Sequence, residues 1–291
     1  MYGLIQLHGK LWRYPITKGK LRNMCIENDF PFGVVRKPCS IPEHKKGTIL
    51  MIHGWAQNAS VMQFKTKNLT KKFNKAGYDC LFLEAPHLLP ARSTVETDGE
   101  SIQVVRGERK NAKAWFVYSE KDPTDTSLSQ SRDPVRFIGL NDSLEYIKRV
   151  LNMIETHQPN ERIVVFGFSQ GGSFVHILSA LASLSDDTLD NHRQTLSAFK
   201  RINCAILVGA FGAHYAKDAD LQYPRVNLQK INIPALHVIG KQDTRVDPEK
   251  SLDLAKAFAA GEIFWHDKGH TIPQKSADSA VMVTFLNNYT N

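Results

Sequence analysis

Residues 162–172 read Arg-Ile-Val-Val-Phe-Gly-Phe-Ser-Gln-Gly-Gly, an apolar β-branched run that turns through Gly167, Ser169 and Gly171 into a stretch with helical spacing. A strand, a sharp turn and a helix with a serine at the apex is the context in which Gly-x-Ser-x-Gly presents a nucleophile. Such a turn strains the serine backbone by roughly 1–3 kcal/mol, and the flanking glycines let neighbouring backbones approach closely. The alternative is an ordinary strand-to-helix turn, with Gly171 and Gly172 serving close packing only.

Acyl transfer on a serine needs a base for its proton, a carboxylate to hold that base, and donors for the developing oxyanion. In an open α/β sheet these groups lie beyond the carboxyl ends of strands, in the chain order Ser, acid, His. The chain supplies Ser169, Asp243 and His270 in that order. Asp243 follows the apolar run 235–239, and His270 follows Ile263-Phe264-Trp265 on the Gly-containing loop Lys268-Gly269-His270. Rival acids are Asp247, and Asp218 and Asp220 after the preceding apolar run. The nearest rival base is His266, at the end of a strand; His176 lies on a helix stripe and His237 inside a strand, where histidines are commonly structural.

An oxyanion hole needs two backbone N–H groups aimed at one point. Gln170, directly after the serine, supplies one; the loop after His53-Gly54 supplies the other, from Trp55 in preference to Ala56. His53 precedes that loop and reads as its brace rather than as a base. The aromatic island Ala114-Trp115-Phe116-Val117-Tyr118 has two readings, a packing patch or a wall of the substrate pocket, with Trp115 and Phe116 as the substrate-binding candidates.

The elements that must position these groups follow from periodicity. Thr48–His53 is a continuous apolar run of the kind buried on both faces of a parallel sheet. Val61, Phe64, Leu69 and Phe73 mark a helix with Ser60 as its N-cap and Gly77 at its end, and the strand Cys80–Leu83 completes a βαβ unit. Residues 85–139 are charged, Pro-containing and without a sustained period, which reads as a cap-like insertion beside the site. Leu144, Ile147, Leu151 and Ile154 lie on one face of a helix. Phe174, Ile177, Leu178, Leu181 and Leu184 form the sheet-facing stripe of the helix after Ser169. Residues 185–200 are polar and read as a mobile loop. Apolar runs at 204–208 and 235–239, a helix through Leu252–Phe258, the strand 263–265 and a closing helix through Val281, Phe285 and Leu286 complete the chain. The fold class is therefore α/β, with a mostly parallel central sheet and helices on both faces.

Bulk properties bound the alternatives. The 291 residues are 42% hydrophobic and 23% charged, ordinary for a globular protein. No apolar run reaches the length of a membrane span. The four cysteines (Cys25, Cys39, Cys80, Cys204) are widely spaced, against a zinc site or a disulfide framework and in keeping with a reducing, cytoplasmic setting. Of the formal charge of +8, residues 1–46 supply +6, with nine Lys or Arg against three acids. The body is nearly balanced, which argues against nucleic acid as a partner. Residues 1–26 have no acid, so a mitochondrial address is the alternative location. Trp12, Tyr14, Phe30 and Phe32 suit a packed or partner-binding appendage instead. The chain thus divides into a basic extension over 1–46 and a catalytic body over 47–291. No Gly-x-Gly-x-x-Gly follows a strand, and Gly240-Lys241 lacks the rest of a phosphate loop, so no nucleotide cofactor is expected.

The phrases HGWAQN (53–58), NAKAWF (111–116), GFSQGG (167–172), GKQDTRV (240–246) and KGHTIP (268–273) resemble the FSH-type serine hydrolases, which include the OVCA2-like esterases of the α/β-hydrolase superfamily. The resemblance covers residues 47–291. It implies the α/β-hydrolase fold, a Ser/Asp/His triad carried onto Ser169, Asp243 and His270, hydrolysis of carboxylic esters of small molecules, among them alkyl or acyl esters, and no cofactor. A thioesterase or amidase would use the same residues, and a ligand-binding protein on a hydrolase scaffold is the rival of a different class. In one respect the chain departs from the family, whose acid is usually followed by a Val-Pro pair: here Asp247 stands between Val246 and Pro248.

Overall fold

Six apolar runs become six parallel strands, and the side chains of the inner four divide alternately between two cores. In the computed structural model, residues 2–7, 10–15, 45–89, 111–118, 137–184, 196–213, 228 and 230–290 are described. Strands β1 (Tyr2–Leu7) and β2 (Lys10–Pro15) pair as an antiparallel hairpin. The remainder of the basic segment 1–46, apart from Lys45 and Lys46, lies outside the described residues. The body begins with β3 (Gly47–Ile52), followed by α1 (Ala59–Lys65), α2 (Lys67–Lys75) and β4 (Tyr78–Leu83). Four two-residue strands follow, β5 (His87–Leu88), β6 (Lys113–Ala114), β7 (Val117–Tyr118) and β8 (Phe137–Ile138), paired β5 with β6 and β7 with β8. Then come α3 (Leu140–His157), β9 (Ile163–Phe168), α4 (Gln170–Ala182), β10 (Ile202–Val208), β11 (Ala235–Gly240), α5 (Pro248–Ala255), β12 (Gly261–His266) and α6 (Ser276–Thr290).

The main sheet runs β12-β11-β10-β9-β3-β4, every neighbouring pair parallel. Because successive strand residues face opposite sides, Leu50, Ile52, Val165 and Leu207 enter one core with α3 and α4. Ile49, Met51, Val164, Phe166 and Ile206 enter the other, against Met62, Phe73, Phe285 and Leu286. A side chain such as Phe166, fully buried and edge-on to Phe73 with ring centroids 6.3 Å apart, contributes about 1.5–3 kcal/mol by leaving water. The strand β9, which carries the serine, lies inside this sheet between β10 and β3, and its position is fixed on both sides.

Three local expectations are corrected. The first helix is two helices broken at Thr66, and its N-cap is Asn58 rather than Ser60, because the Asn58 Oδ1 accepts the Val61 N–H at 2.9 Å. Within α1 the buried residues are Ala59 and Met62, and Phe64, expected inside, is 81% exposed. Within the stretch read as a mobile loop, Ser197–Arg201 is a 3₁₀ turn with Ala198 and Phe199 buried, while 185–195 lie outside the described residues. Of the cap-like insertion read over 85–139, residues 90–110 and 119–136 lie outside the described residues. No described helix is long and apolar enough to cross a membrane.

Candidate active site

Ser169 sits at φ 54° and ψ −121°, in the left-handed half of backbone space where a side chain is strained. The sequence enforces this by omission. A Cβ on Gly171 would lie 2.4 Å from the Ile52 carbonyl oxygen, and one on Gly167 would lie 2.3 Å from the Gly171 oxygen. With no side chains there, α4 can start directly over the end of β9. The Ser169 N–H donates to the Val208 oxygen at 2.9 Å, which ties the elbow to β10.

The acid and the histidine come from the turns after β11 and β12. Asp243 is buried; its Oδ1 accepts the N–H groups of Arg245 and Val246, each at 2.9 Å, and its Oδ2 lies 2.7 Å from the His270 Nδ1. The loop that carries His270 crosses Gly240 so closely that a Cβ there would meet the Lys268 oxygen at 2.5 Å. Gly209, at φ 52° just after β10, faces the pair: a Cβ on it would lie 3.1 Å from the His270 Nδ1 and 3.3 Å from the Asp243 Oδ2. The Phe168 ring, next to the serine in sequence, packs against the His270 ring with centroids 4.8 Å apart. Ser169, Asp243 and His270 thus occupy one end of the sheet. Nδ1 is committed to Asp243, and among the described residues Nε2 makes no hydrogen bond, Ser169 included.

The rivals are placed elsewhere. Asp247 is the N-cap of α5, its Oδ1 accepting the Glu249 N–H at 3.0 Å with Pro248 following. That role gives the extra residue between Val246 and Pro248 a local purpose. Asp218 and Asp220 lie outside the described residues. The His266 Nδ1 accepts the Lys268 N–H at 3.3 Å, and burial pulls its ring below the usual imidazole range, partly countered by Asp278 and Asp243. His176 accepts the Ala213 N–H at Nδ1 and donates from Nε2 to the Leu228 oxygen.

His53 is a brace. Its Nε2 accepts the Ala85 N–H at 3.2 Å, so the proton is on Nδ1, which donates to the Gly54 oxygen at 2.9 Å. Burial lowers its pKa to about 4, with Lys113 adding to the effect and the Gly54 carbonyl opposing it. The loop it supports turns through Ala56 at φ 52°, and the Gly54 N–H is held by the Gln57 Oε1 at 3.2 Å. As the first residue of α4, Gln170 has an N–H without an intrahelical acceptor. Trp55, within this loop, is 41% exposed.

Trp115 and Phe116 are both 0% exposed, so the packing alternative describes them, and neither presents surface to a substrate in this structure. Trp115 stacks on Phe174 and Tyr146 with centroids 5.1 and 6.3 Å apart. Sequence reasoning did not find the side chain of Gln170 or that of Gln57. A buried polar residue inside a turn has no periodic signal, and its partners are distant in sequence. Among the described residues, no group of three His, Cys, Asp or Glu side chains is placed to hold a metal ion.

The family model described as "Serine hydrolase (FSH1)" matches residues 42–282. "Esterase OVCA2" of Danio rerio is 30% identical over 244 residues, covering 83% of this chain and 96% of that protein. "Family of serine hydrolases 2" of Saccharomyces cerevisiae is 26% identical over 230 residues, covering 77% and 91%. Among solved structures, the Bacillus cereus carboxylesterase superposes with a TM-score of 0.53 at 11% identity, covering 90% of this chain and 96% of that one. Zea mays acyl-protein thioesterase 2 superposes at 0.52 with 15% identity, covering 89% and 98%. These structural likenesses speak for the α/β-hydrolase fold alone. The family match over most of the body, on a parallel sheet ending in a strained serine, makes the chain a member of the FSH1 serine hydrolase family.

Proposed function

We propose that the protein hydrolyses carboxylic esters of small molecules by two-step acyl transfer on Ser169, with His270 as general base and acid and Asp243 as its orienting carboxylate. The observation that carries the reading is the 2.7 Å contact between the His270 Nδ1 and the Asp243 Oδ2 at the sheet end that holds the strained serine. The His270 Nε2 takes the proton of the Ser169 hydroxyl as Oγ bonds to the ester carbonyl carbon, and the carbonyl π pair moves onto oxygen. The backbone N–H groups of Gln170 and Trp55 hold that oxyanion; one such donor is worth roughly a hundred- to a thousandfold in turnover. Collapse expels the alkoxide, which leaves as an alcohol with the proton from His270. Water then gives a proton to His270, attacks the acyl carbon and releases the acid, and the proton returns to Ser169.

The test is labelling of the purified protein with a fluorophosphonate, followed by mass spectrometry. One adduct on Ser169, absent from His270→Ala, is expected. Ser169→Ala should fold and lose turnover on a panel of acyl esters; full activity in that variant overturns the reading. The same panel with matched thioesters and amides fixes the bond class.

A further inference from the structure

One of the two proposed oxyanion donors stands on the loop after β3 and the other on the first turn of α4, and the short segment 113–116 is hydrogen-bonded to both elements. The main chain of Lys113 donates to the Gln57 oxygen at 2.9 Å, and Gln57 in turn holds the Gly54 N–H. Two residues on, the Trp115 N–H donates to the side-chain Oε1 of Gln170 at 3.1 Å, and the Gln170 Nε2 donates to the Phe116 oxygen at 2.8 Å. The Trp115 indole N–H closes the circuit on the His53 oxygen at 2.8 Å. Residues 113–116 are therefore a splint across both elements, itself anchored by the Ser143 hydroxyl on the Trp115 oxygen.

We infer that the Gln170 side chain is a positioning residue for the oxyanion hole. Its primary amide, 2% exposed, has one acceptor and two donors, and it pairs with one N–H and one carbonyl of residues 115–116 as a neighbouring strand would. The residue proposed to give its N–H to the oxyanion is thus held by its own side chain to the same segment, 113–116, that holds the loop after β3. Packing alone does not demand this chemistry: a methionine fills similar volume but offers neither the acceptor that the Trp115 N–H uses nor the donor that meets the Phe116 oxygen. Preorganised donors act because they need not move as charge develops, so a loosened hole lowers the rate without weakening substrate binding.

This inference rests on the function proposed above, and its test separates the two. Active sites are first counted by phosphonate titration to completion, and ester turnover is expressed per titrated site. Gln170→Met should then show kcat per site reduced by about tenfold to a hundredfold, with KM within about twofold of the parent, as expected for interactions made in the transition state. Gln170→Glu supplies a second readout that folding does not mimic. As the neutral acid it reproduces both bonds, with Oε accepting from Trp115 and the O–H donating to Phe116. As the carboxylate it faces the Phe116 oxygen with a lone pair. Its kcat should fall with rising pH along a limb that the parent lacks. A per-site kcat for Gln170→Met within about twofold of the parent, or a Gln170→Glu profile that superimposes on the parent's, overturns the inference. Should Gln170→Met not fold, the pH profile decides. If Ser169→Ala stays active, the function beneath has failed; if it is inactive while the Gln170 variants run at full rate per site, only the splint has failed.

Discussion

The Asp243 carboxylate is held at both oxygens: Oδ2 meets the His270 Nδ1 at 2.7 Å, and Oδ1 receives the backbone N–H groups of Arg245 and Val246. The acid is therefore locked in one rotamer by its own turn before it orients anything. Asp243→Asn keeps the shape but offers an amide that can turn its N–H toward the ring, which selects the wrong imidazole tautomer. Turnover should fall by about 10⁴-fold. Ester hydrolysis measured beside thermal melting checks this, with the melting temperature expected to move by only a few degrees.

Ser169 should be a site where stability and activity oppose each other. At φ 54° and ψ −121° any Cβ is strained, and glycine adopts such values freely. Ser169→Gly should therefore be inactive and more stable than the parent by about 1–2 kcal/mol. Urea denaturation of the two proteins measures the difference; an equal or lower midpoint in the glycine variant would show that the elbow carries no strain.

Gly209 faces the acid–histidine pair from the end of β10, at a positive φ and where an added Cβ would press on the His270 ring at 3.1 Å. Gly209→Ala should displace the His270 ring by a few tenths of an ångström and lower kcat by about 10²-fold. The same change at Gly261, where a Cβ would meet the Ala255 oxygen at 3.0 Å far from these groups, should affect stability and leave kcat alone. Comparing kcat and melting temperature in the two variants separates a steric effect on the pair from a general loss of packing.

Two buried histidines give the fold an acid limit. Burial lowers His53 to about 4 and, with a further push from nearby His176, His237 to about 3. Both rings are neutral in the folded state and protonate near 6.5 when unfolded. The unfolded chain thus binds more protons below that pH, so the stabilisation from their neutral forms is complete above about pH 6.5 and is lost as pH falls toward 4 and then 3. The His237 Nε2 is buried with no hydrogen-bond partner among the described residues. His237→Leu should therefore flatten the acid limb of melting temperature against pH without lowering stability at pH 7.

The sheet and the order of Ser169, Asp243 and His270 were legible because they rest on signals local in sequence. Buried parallel strands are continuous apolar runs, and close backbone approach at the elbow leaves glycines at 167 and 171. The role of His53 as a brace was equally legible, since it ends a strand where a loop must be held. What escaped was set by side-chain hydrogen bonds and packing that apolar spacing does not encode. Thr66 interrupts the first helix by bonding its hydroxyl back to the Met62 oxygen, a competition that apolar spacing does not register. Trp115 is of a type that suits a pocket wall or a core equally, and its partners His53, Tyr146, Gln170 and Phe174 decide the matter. The Gln170 side chain had no sequence signal, because the motif defines that position by its main chain.

The strand order also sets a sequence in time. The elbow at Ser169 needs β3 on one side of β9 and β10 on the other, and all three are synthesised before β11 and β12. Asp243 and His270 follow β11 and β12, which add last and at one edge of the sheet. A chain emerging N-terminus first, folding as it lengthens, would carry an assembled serine turn with neither base nor acid beside it. On the proposed mechanism the serine would gain its base only when the final strand docks.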